Sequence, residues 1–267
     1  MCLILFSYEL HPAYRLMLAA NRDEFYRRPT ASLDYWSDHT AVLAGRDLKG
    51  NGTWLGVTPS GRFAAITNYR EPAAQMQNAP SRGLLIRDFL TENSSPERYL
   101  KTVSKKSEAY NGFNLIAGDP SGLYYYSNRA GRVRQLQTGL YGISNHLIDT
   151  AWPKIQRGKG LLKDQLSGRE KIDIEKIWQV LADRSLPADE QLPDTGVGLQ
   201  WERILAPLFI SSPEYGTRSS SIVLMEYSGR TTFMERTFPD GANNPGDGET
   251  VTYSFEAKPL PRTHRNF

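Results

Sequence analysis

A single cysteine, Cys2, occurs in the 267 residues, so no intramolecular disulfide can form and a reducing, cytoplasmic setting is expected. CxxC and CxxCH motifs are missing, which excludes the common structural-zinc and covalent-haem sites. No apolar run approaches the roughly 18 residues of a membrane span, and the opening "CLILF" is too short and too plainly flanked for a signal peptide. Neither sign of charge dominates. Thirty-two Lys and Arg against 29 Asp and Glu leave a net charge of +3, scattered along the chain, so the basic stripe that nucleic acid requires is lacking. What is present is a 39% hydrophobic content, enough for a full core.

That apolar content falls into β-compatible runs and helical faces. "CLILFSY" and "YRLMLAA" read as strands joined by "ELHPA", where His-Pro disfavours helix. Thr53 to Val57 and Phe63 to Thr67 flank "TPSG" as a hairpin. Helices are predicted over "RGLLIRDFLTEN" with Ser81 as cap, and over "SPERYLKTVSKKS" with Ser95 as cap and Pro96 at the first turn. "FNLIAGD", "GLYYYSN", "RVRQLQ" and "LYGISN" follow as strands, then helices near Trp152 to Leu166 and Ile174 to Ala182, then a Pro, Asp and Gly-rich loop. "SSSIVLMEY", "GRTTFMERTF" and "VTYSFE" close the pattern as strands. Strands, helices, strands, helices, strands predict an α+β domain of antiparallel sheets with helices on their outer faces. One domain over 1–258 with a polar tail at 259–267 is expected.

Cys2 is the most informative position for chemistry. Removal of Met1 leaves a thiol and an α-amine on the same residue, so nucleophile and base need no second side chain. The alternative is a small buried hydrophobe at a strand start. A nucleophile of this kind needs a nearby cation, groups that orient the amine, and oxyanion donors. Arg22 and Asp23 after the second strand, Asn68 in "AAITNYR", Asn145 in "LYGISNH" and Arg218 in "YGTRSSSIVL" all fall at expected strand ends. Each also has an ordinary structural use, in turns or at a sheet edge.

These residues carry a resemblance. "MCLILFSY", "LAANRDEFYRRP", "AGRDLKGNGTWLGVTPSGRFAAITNYREP", "SRG", "NGFNLIAGD", "YGISNH" and "GTRSSSIVL" together resemble the NRDE family of the transport-and-Golgi-organisation type, from residue 2 to about residue 227. The resemblance implies an N-terminal-nucleophile (Ntn) hydrolase-like αββα four-layer sandwich of two antiparallel sheets. The order Cys2, Arg22, Asp23, Asn68, Asn145, Arg218 is similar to choloylglycine hydrolases and penicillin V acylases. That implies a cysteine amidase acting on linear amides without a metal, with Arg and Asp positioning the cysteine and Asn assisting the oxyanion and amine. One departure stands out: those enzymes separate Arg and Asp by two residues, whereas Arg22 and Asp23 are adjacent. Neighbours on an extended chain point to opposite faces, so both serve one site only if the chain turns; otherwise Glu24 takes the acidic role.

The same resemblance implies haem binding and mobilisation, with haem or another apolar anionic small molecule as partner. His146 and Cys2 are then candidate axial ligands, and Arg22, Arg27, Arg28 and Arg70 candidate propionate partners. Trp54 is expected in the core or lining the cleft. An acyl- or lipid-binding module with relic catalytic residues is a third reading. "GNGTWLG" leads into a strand, so it lacks the helix N-terminus of a phosphate loop.

Overall fold

Alternation along the first two strands divides the core into layers. β1 (Cys2–Tyr8) and β2 (Tyr14–Phe25) send Ile4, Phe6, Leu18 and Ala20 to one side and Leu3, Leu5, Met17 and Ala19 to the other. In this computed structural model, which describes residues 2–167, 171–238 and 248–257, both sides are covered. β1 and β2 lie inside a six-stranded antiparallel sheet with β10 (Gly139–Ile143), β11 (Tyr215–Glu226), β12 (Arg230–Thr237) and β13 (Glu249–Glu256), in the order β10-β1-β2-β11-β12-β13.

The second sheet is a seven-stranded meander in chain order: β3 (Thr30–Tyr35), β4 (Leu43–Asp47), β5 (Leu55–Val57), β6 (Phe63–Asn68), β7 (Phe113–Asp119), β8 (Gly122–Ser127) and β9 (Val133–Gln135). Leu33, Leu55, Phe63 and Ile116 from this sheet meet Phe6, Leu18, Val223 and Phe233 from the first. The outer face of the first sheet is covered by α3 (Pro153–Leu166) and α4 (Ile174–Leu181), through Ile155, Leu162, Ile177 and Trp178. The outer face of the second is covered by α1 (Gly83–Thr91) and α2 (Pro96–Ser104), through Leu85, Phe89, Tyr99 and Leu100. The result is the expected αββα sandwich. Each fully buried Leu or Phe side chain contributes roughly 1.5–3 kcal/mol by leaving water.

Local signals explain most element ends. Ser95 accepts from Arg98 N at 3.4 Å and Pro96 opens α2, as its sequence predicts. Val57 pairs with Phe63 across the "TPSG" turn, where Gly61 adopts φ +80. Gly52 is needed for a different reason: an added Cβ would come within 2.3 Å of the Gly83 main chain, so the glycine lets β5 approach the start of α1. Ser81 does not cap α1; the N-cap is Arg82, which makes no capping side-chain bond. α5 (Leu199–Leu205), inside the stretch expected to be loop, is a further difference. Residues 259–267, expected as a tail, lie outside the described residues.

The largest departure from the sequence reading is at β2. The strand does not end before Asn21; it continues through Asn21, Arg22, Asp23 and Glu24 to Phe25 because β11 supplies a partner along its whole length. Asn21 is buried on the helical side, donating to Leu181 O and Leu208 O, each at 2.8 Å, and accepting from Ser220 Oγ at 2.6 Å. It ties the sheet to the last residue of α4 and to the segment after α5. Asn21→Ala strands two buried carbonyls and a hydroxyl, so a loss of about 3 kcal/mol is expected, measurable by denaturant unfolding.

Candidate functional site

Register decides what Cys2 faces. Cys2 is paired with Arg22 across β1 and β2, so both side chains lie on the inter-sheet face. The Arg22 guanidinium stacks 4.2 Å from the Trp54 ring, and its Nη1 is buried with no hydrogen-bond partner. Trp54 itself is held under Gly45, where any Cβ would collide with the indole at 2.5 Å. Burial pushes the Cys2 thiol up, and the Arg22 charge works against that rise.

Asp23 lies one residue past the Cys2–Arg22 pair, on the side of the Cys2 main-chain nitrogen, and its carboxylate is on the helical face. There Thr217 Oγ1 donates to its Oδ1 at 2.8 Å. Burial raises the Asp23 carboxyl, and Lys154, in the first turn of α3, is the strongest influence opposing that rise. Lys154 is buried too and is pushed down to about 8 by its burial, against the pull of Asp23. The chain therefore does not turn to bring Arg22 and Asp23 to one face. They flank Cys2 from opposite sides, the guanidinium beside the thiol and the carboxylate toward the backbone nitrogen. Glu24 makes its own contacts elsewhere, accepting from Phe25 N at 2.9 Å and lying 3.7 Å from Arg28 Nε, and its charge reaches Cys2 only as a minor influence that raises the thiol.

Asn68 and Asn145 meet each other. Asn145 Nδ2 donates to Asn68 O at 3.0 Å, and Arg70 N donates to Asn145 O at 2.8 Å, so the end of β6 is tied to the segment after β10 across the two sheets. Arg70 continues the chain of contacts. It forms a buried ion pair with Glu202 at 2.5 Å and lies 4.9 Å from the Trp152 ring. Arg70 and Lys154 both feel the Asp23 charge, and Lys154, Arg82 and Tyr215 all feel the Cys2 thiolate. Cys2, Arg22, Asp23, Asn68, Arg70 and Asn145 thus converge on one region.

The remaining candidates do other work. Arg218 sits at a bulge in β11, within the strand and not at its start, and its Nη1 donates to Phe25 O, Tyr26 O and Arg28 O. It pins the turn that leaves β2. Arg28 is bidentate on Asp47, at 3.1 and 2.7 Å, and Arg27 is exposed over Phe25. His146 Nδ1 is 2.8 Å from Thr150 Oγ1, and its ring lies between Tyr69 and Trp152 at 4.8 and 5.7 Å. Burial lowers its basicity.

Four groups in or beside the site were not picked out in the sequence: Lys154, Arg82, Glu202 and Glu235. The Lys154 in "WPK" and the Arg82 in "SRG" open helices, where a basic residue opposes the helix dipole; that mismatch was the only local sign. Glu235 on β12 lies on the inter-sheet face beside Ser219 and Ser221, accepts from Leu33 N at 2.7 Å, and is raised to about 6 by burial. Its folded value exceeds the ordinary 4.5, so the folded state holds more protons between those pH values and stability falls as pH rises through them. The stability of Glu235→Gln relative to wild type is therefore expected to rise by about 2 kcal/mol from acid to neutral pH, read by urea unfolding on both sides of that window.

Among the described residues no group of three or more His, Cys, Asp and Glu could hold a metal ion, and no helix is long and apolar enough to cross a membrane. Known proteins similar to the chain agree with the sequence resemblance. The Transport and Golgi organisation 2 homolog of Bos taurus is 40% identical over 277 residues, covering 96% of this chain and 99% of that protein. The Homo sapiens homolog is 38% identical with the same coverage. Transport and Golgi organization protein 2 of Drosophila melanogaster is 29% identical, covering 89% of this chain and 92% of that protein. Among solved structures, a Caenorhabditis elegans ortholog of N-acylethanolamine-hydrolyzing acid amidase has a TM-score of 0.49 at 13% identity, covering 95% of this chain and all of that one. A C2A mutant of conjugated bile acid hydrolase from Clostridium perfringens has a TM-score of 0.48 at 10% identity, with both chains covered in full. A family model described as Transport and Golgi organisation 2 matches residues 1–240. With most of its length matched, the chain belongs to the Transport and Golgi organisation 2 family.

Proposed function

We propose that this chain is a cytoplasmic N-terminal cysteine hydrolase that cleaves the C–N bond of an N-acyl compound once Met1 has been removed. The observation that carries the reading is the register that places Arg22 opposite Cys2 and Asp23 one residue beyond, toward the Cys2 nitrogen. With the α-amine free, it takes the thiol proton, and the Arg22 guanidinium steadies the thiolate. The thiolate attacks the acyl carbon. The C–N bond breaks as the Cys2 ammonium returns the proton to the departing amine, leaving a thioester. Water, deprotonated by the same amine, then releases the acid and restores the thiol. Asp23 holds the ammonium, and the Lys154 charge favours the ionised carboxylate. Asn145 Nδ2, fixed on Asn68 O, supports the site's geometry.

The test is the intact mass of purified protein together with amine release from a panel of N-acyl amino acids and N-acyl amino alcohols. Loss of Met1 and release of at least one amine are expected. Retention of Met1 on every molecule, or no release by Met1-free protein, overturns the reading. Saturable binding without release would instead support an acyl- or lipid-binding module.

Haem gains less support from the geometry. A single haem would need its propionate and axial partners around one cleft. Of the residues considered for that role, Arg28 is engaged by Asp47 and Arg70 by Glu202, while Arg27 is exposed on the surface. His146 contacts Thr150 through Nδ1, and Arg22 and Cys2 face each other on the inter-sheet side, which leaves one cation and one thiol together there. A Soret titration checks this: no saturable 1:1 band is expected.

A further inference from the structure

Arg22 has a second environment besides Cys2. It opens onto a cavity of about 280 Å³ between β2, β3, β11, β12 and β13, which Glu235, Ser219, Arg218, Trp54 and Glu249 also line. Three of these side chains are buried and hold polar atoms that lack a partner. Arg22 is 6% exposed with Nη1 unpaired, Ser219 is 4% exposed with Oγ unpaired, and Glu235 is 1% exposed with Oε2 unpaired. Buried polar atoms are nearly always hydrogen-bonded, so a donor and an acceptor left open on one cavity mark a place for a ligand.

The charges select the ligand. Two guanidiniums, of Arg22 and Arg218, and two carboxylates, of Glu235 and Glu249, share the lining. A simple anion would face both carboxylates and a simple cation both arginines, whereas a molecule carrying both signs gives the buried Arg22 and Glu235 an opposite charge each. The volume, close to the lower end of roughly 300–1,000 Å³ for small-molecule sites, limits the size. We propose that this cavity binds a small zwitterion, in the simplest case a free α-amino acid, with its carboxylate on Arg22 and its ammonium on Glu235. Trp54 then forms the apolar wall for the rest of the molecule, with its indole already stacked on Arg22. Ser219 Oγ, beside Glu235 and paired in register with Arg22, serves either end.

Arg22 is shared with the amidase reading, but binding needs no turnover, so the two are separable. The experiment uses the Cys2→Ala protein, which cannot hydrolyse an amide, and measures binding of each of the standard amino acids by ligand-observed NMR and calorimetry. At least one is expected to saturate at 1:1. Its analogues lacking the amine or the carboxylate are expected to bind at least about tenfold more weakly, and Glu235→Gln to weaken the amino acid by a similar factor, since each change removes a charged hydrogen-bond partner. The analogue series needs no change in the cavity, so it decides even if Glu235→Gln does not fold. No saturation by any amino acid overturns the proposal, as does equal affinity for a singly charged analogue. An unchanged affinity in folded Glu235→Gln overturns it too.

Discussion

Cys2→Ser and Cys2→Ala are expected to remain folded while losing amine release by about 10³-fold or more. The structural half of that expectation comes from where Cys2 sits. It begins β1, partly covered, with no side-chain hydrogen bond among the described residues, and the apolar contacts of β1 are made by Leu3, Ile4, Leu5 and Phe6. Removing one sulfur there costs about 1 kcal/mol. The chemical half is that Cys2 carries the only thiol in the chain, and Ser219, the other group paired with Arg22, has no α-amine to take its proton. Asp23→Asn separates positioning from attack. Its side-chain oxygen can still accept from Thr217, but the charge that holds the Cys2 ammonium is gone, so a loss of about 10²-fold is expected. That loss should come with a changed pH–rate profile. An unchanged rate and profile in Asp23→Asn would show that the carboxylate does not act on the amine.

Glu202→Ala is expected to be the most destabilising single change, by about 3–5 kcal/mol, because it leaves the Arg70 guanidinium buried and unpaired. The same carboxylate also accepts from Thr195 N at 2.9 Å and Thr195 Oγ1 at 2.5 Å, so the loop before α5 loses its anchor too. For a chain of this size the loss corresponds to a melting temperature lower by about 6–20 °C. The double variant Arg70→Met with Glu202→Leu is expected to recover much of the stability, because replacing both partners removes the desolvated charge instead of stranding it. Calorimetry on the two single variants and the double closes the cycle. Additive losses would mean that the pair is not coupled. Since Arg70 also bears on Asp23 and Lys154, Glu202→Ala should reduce turnover beyond the loss of folded protein.

Much of the architecture was legible because local rules set it. Ser95 and Pro96 start α2 for reasons within four residues, and the "TPSG" turn sets the register of Val57 on Phe63. The alternation of β1 already marks two buried faces, which suits a strand between a sheet and a helical layer. Cys2, Arg22, Asp23, Asn68 and Asn145 could be nominated for one site since polar residues interrupt apolar runs there. What misled was the strand end. Asn21 to Glu24 looked like a solvated turn because four polar side chains rarely continue a buried strand, yet Asn21, Arg22 and Asp23 each have a partner from another part of the chain, and only Glu24 bonds locally.

By itself the sequence determined most strands and helices and an α+β order of antiparallel sheets with outer helices, since these depend on period, caps and turns, while the αββα layering and the grouping of Cys2 with the polar residues came with the family resemblance. Only the tertiary structure decided which face each polar group takes. The pairing of β2 with β11 carried Asp23 to the helical side and left Arg22 with Cys2. Packing of α3 and α5 buried Lys154 and Glu202; the dipole mismatch of Lys154 hints at a special role but not at burial, and Glu202 carries no local mark at all. Packing of the two sheets enclosed Glu235 with Arg22. A charge becomes a functional group when desolvation raises the energy of leaving it unpaired, and desolvation depends on residues far away in the chain.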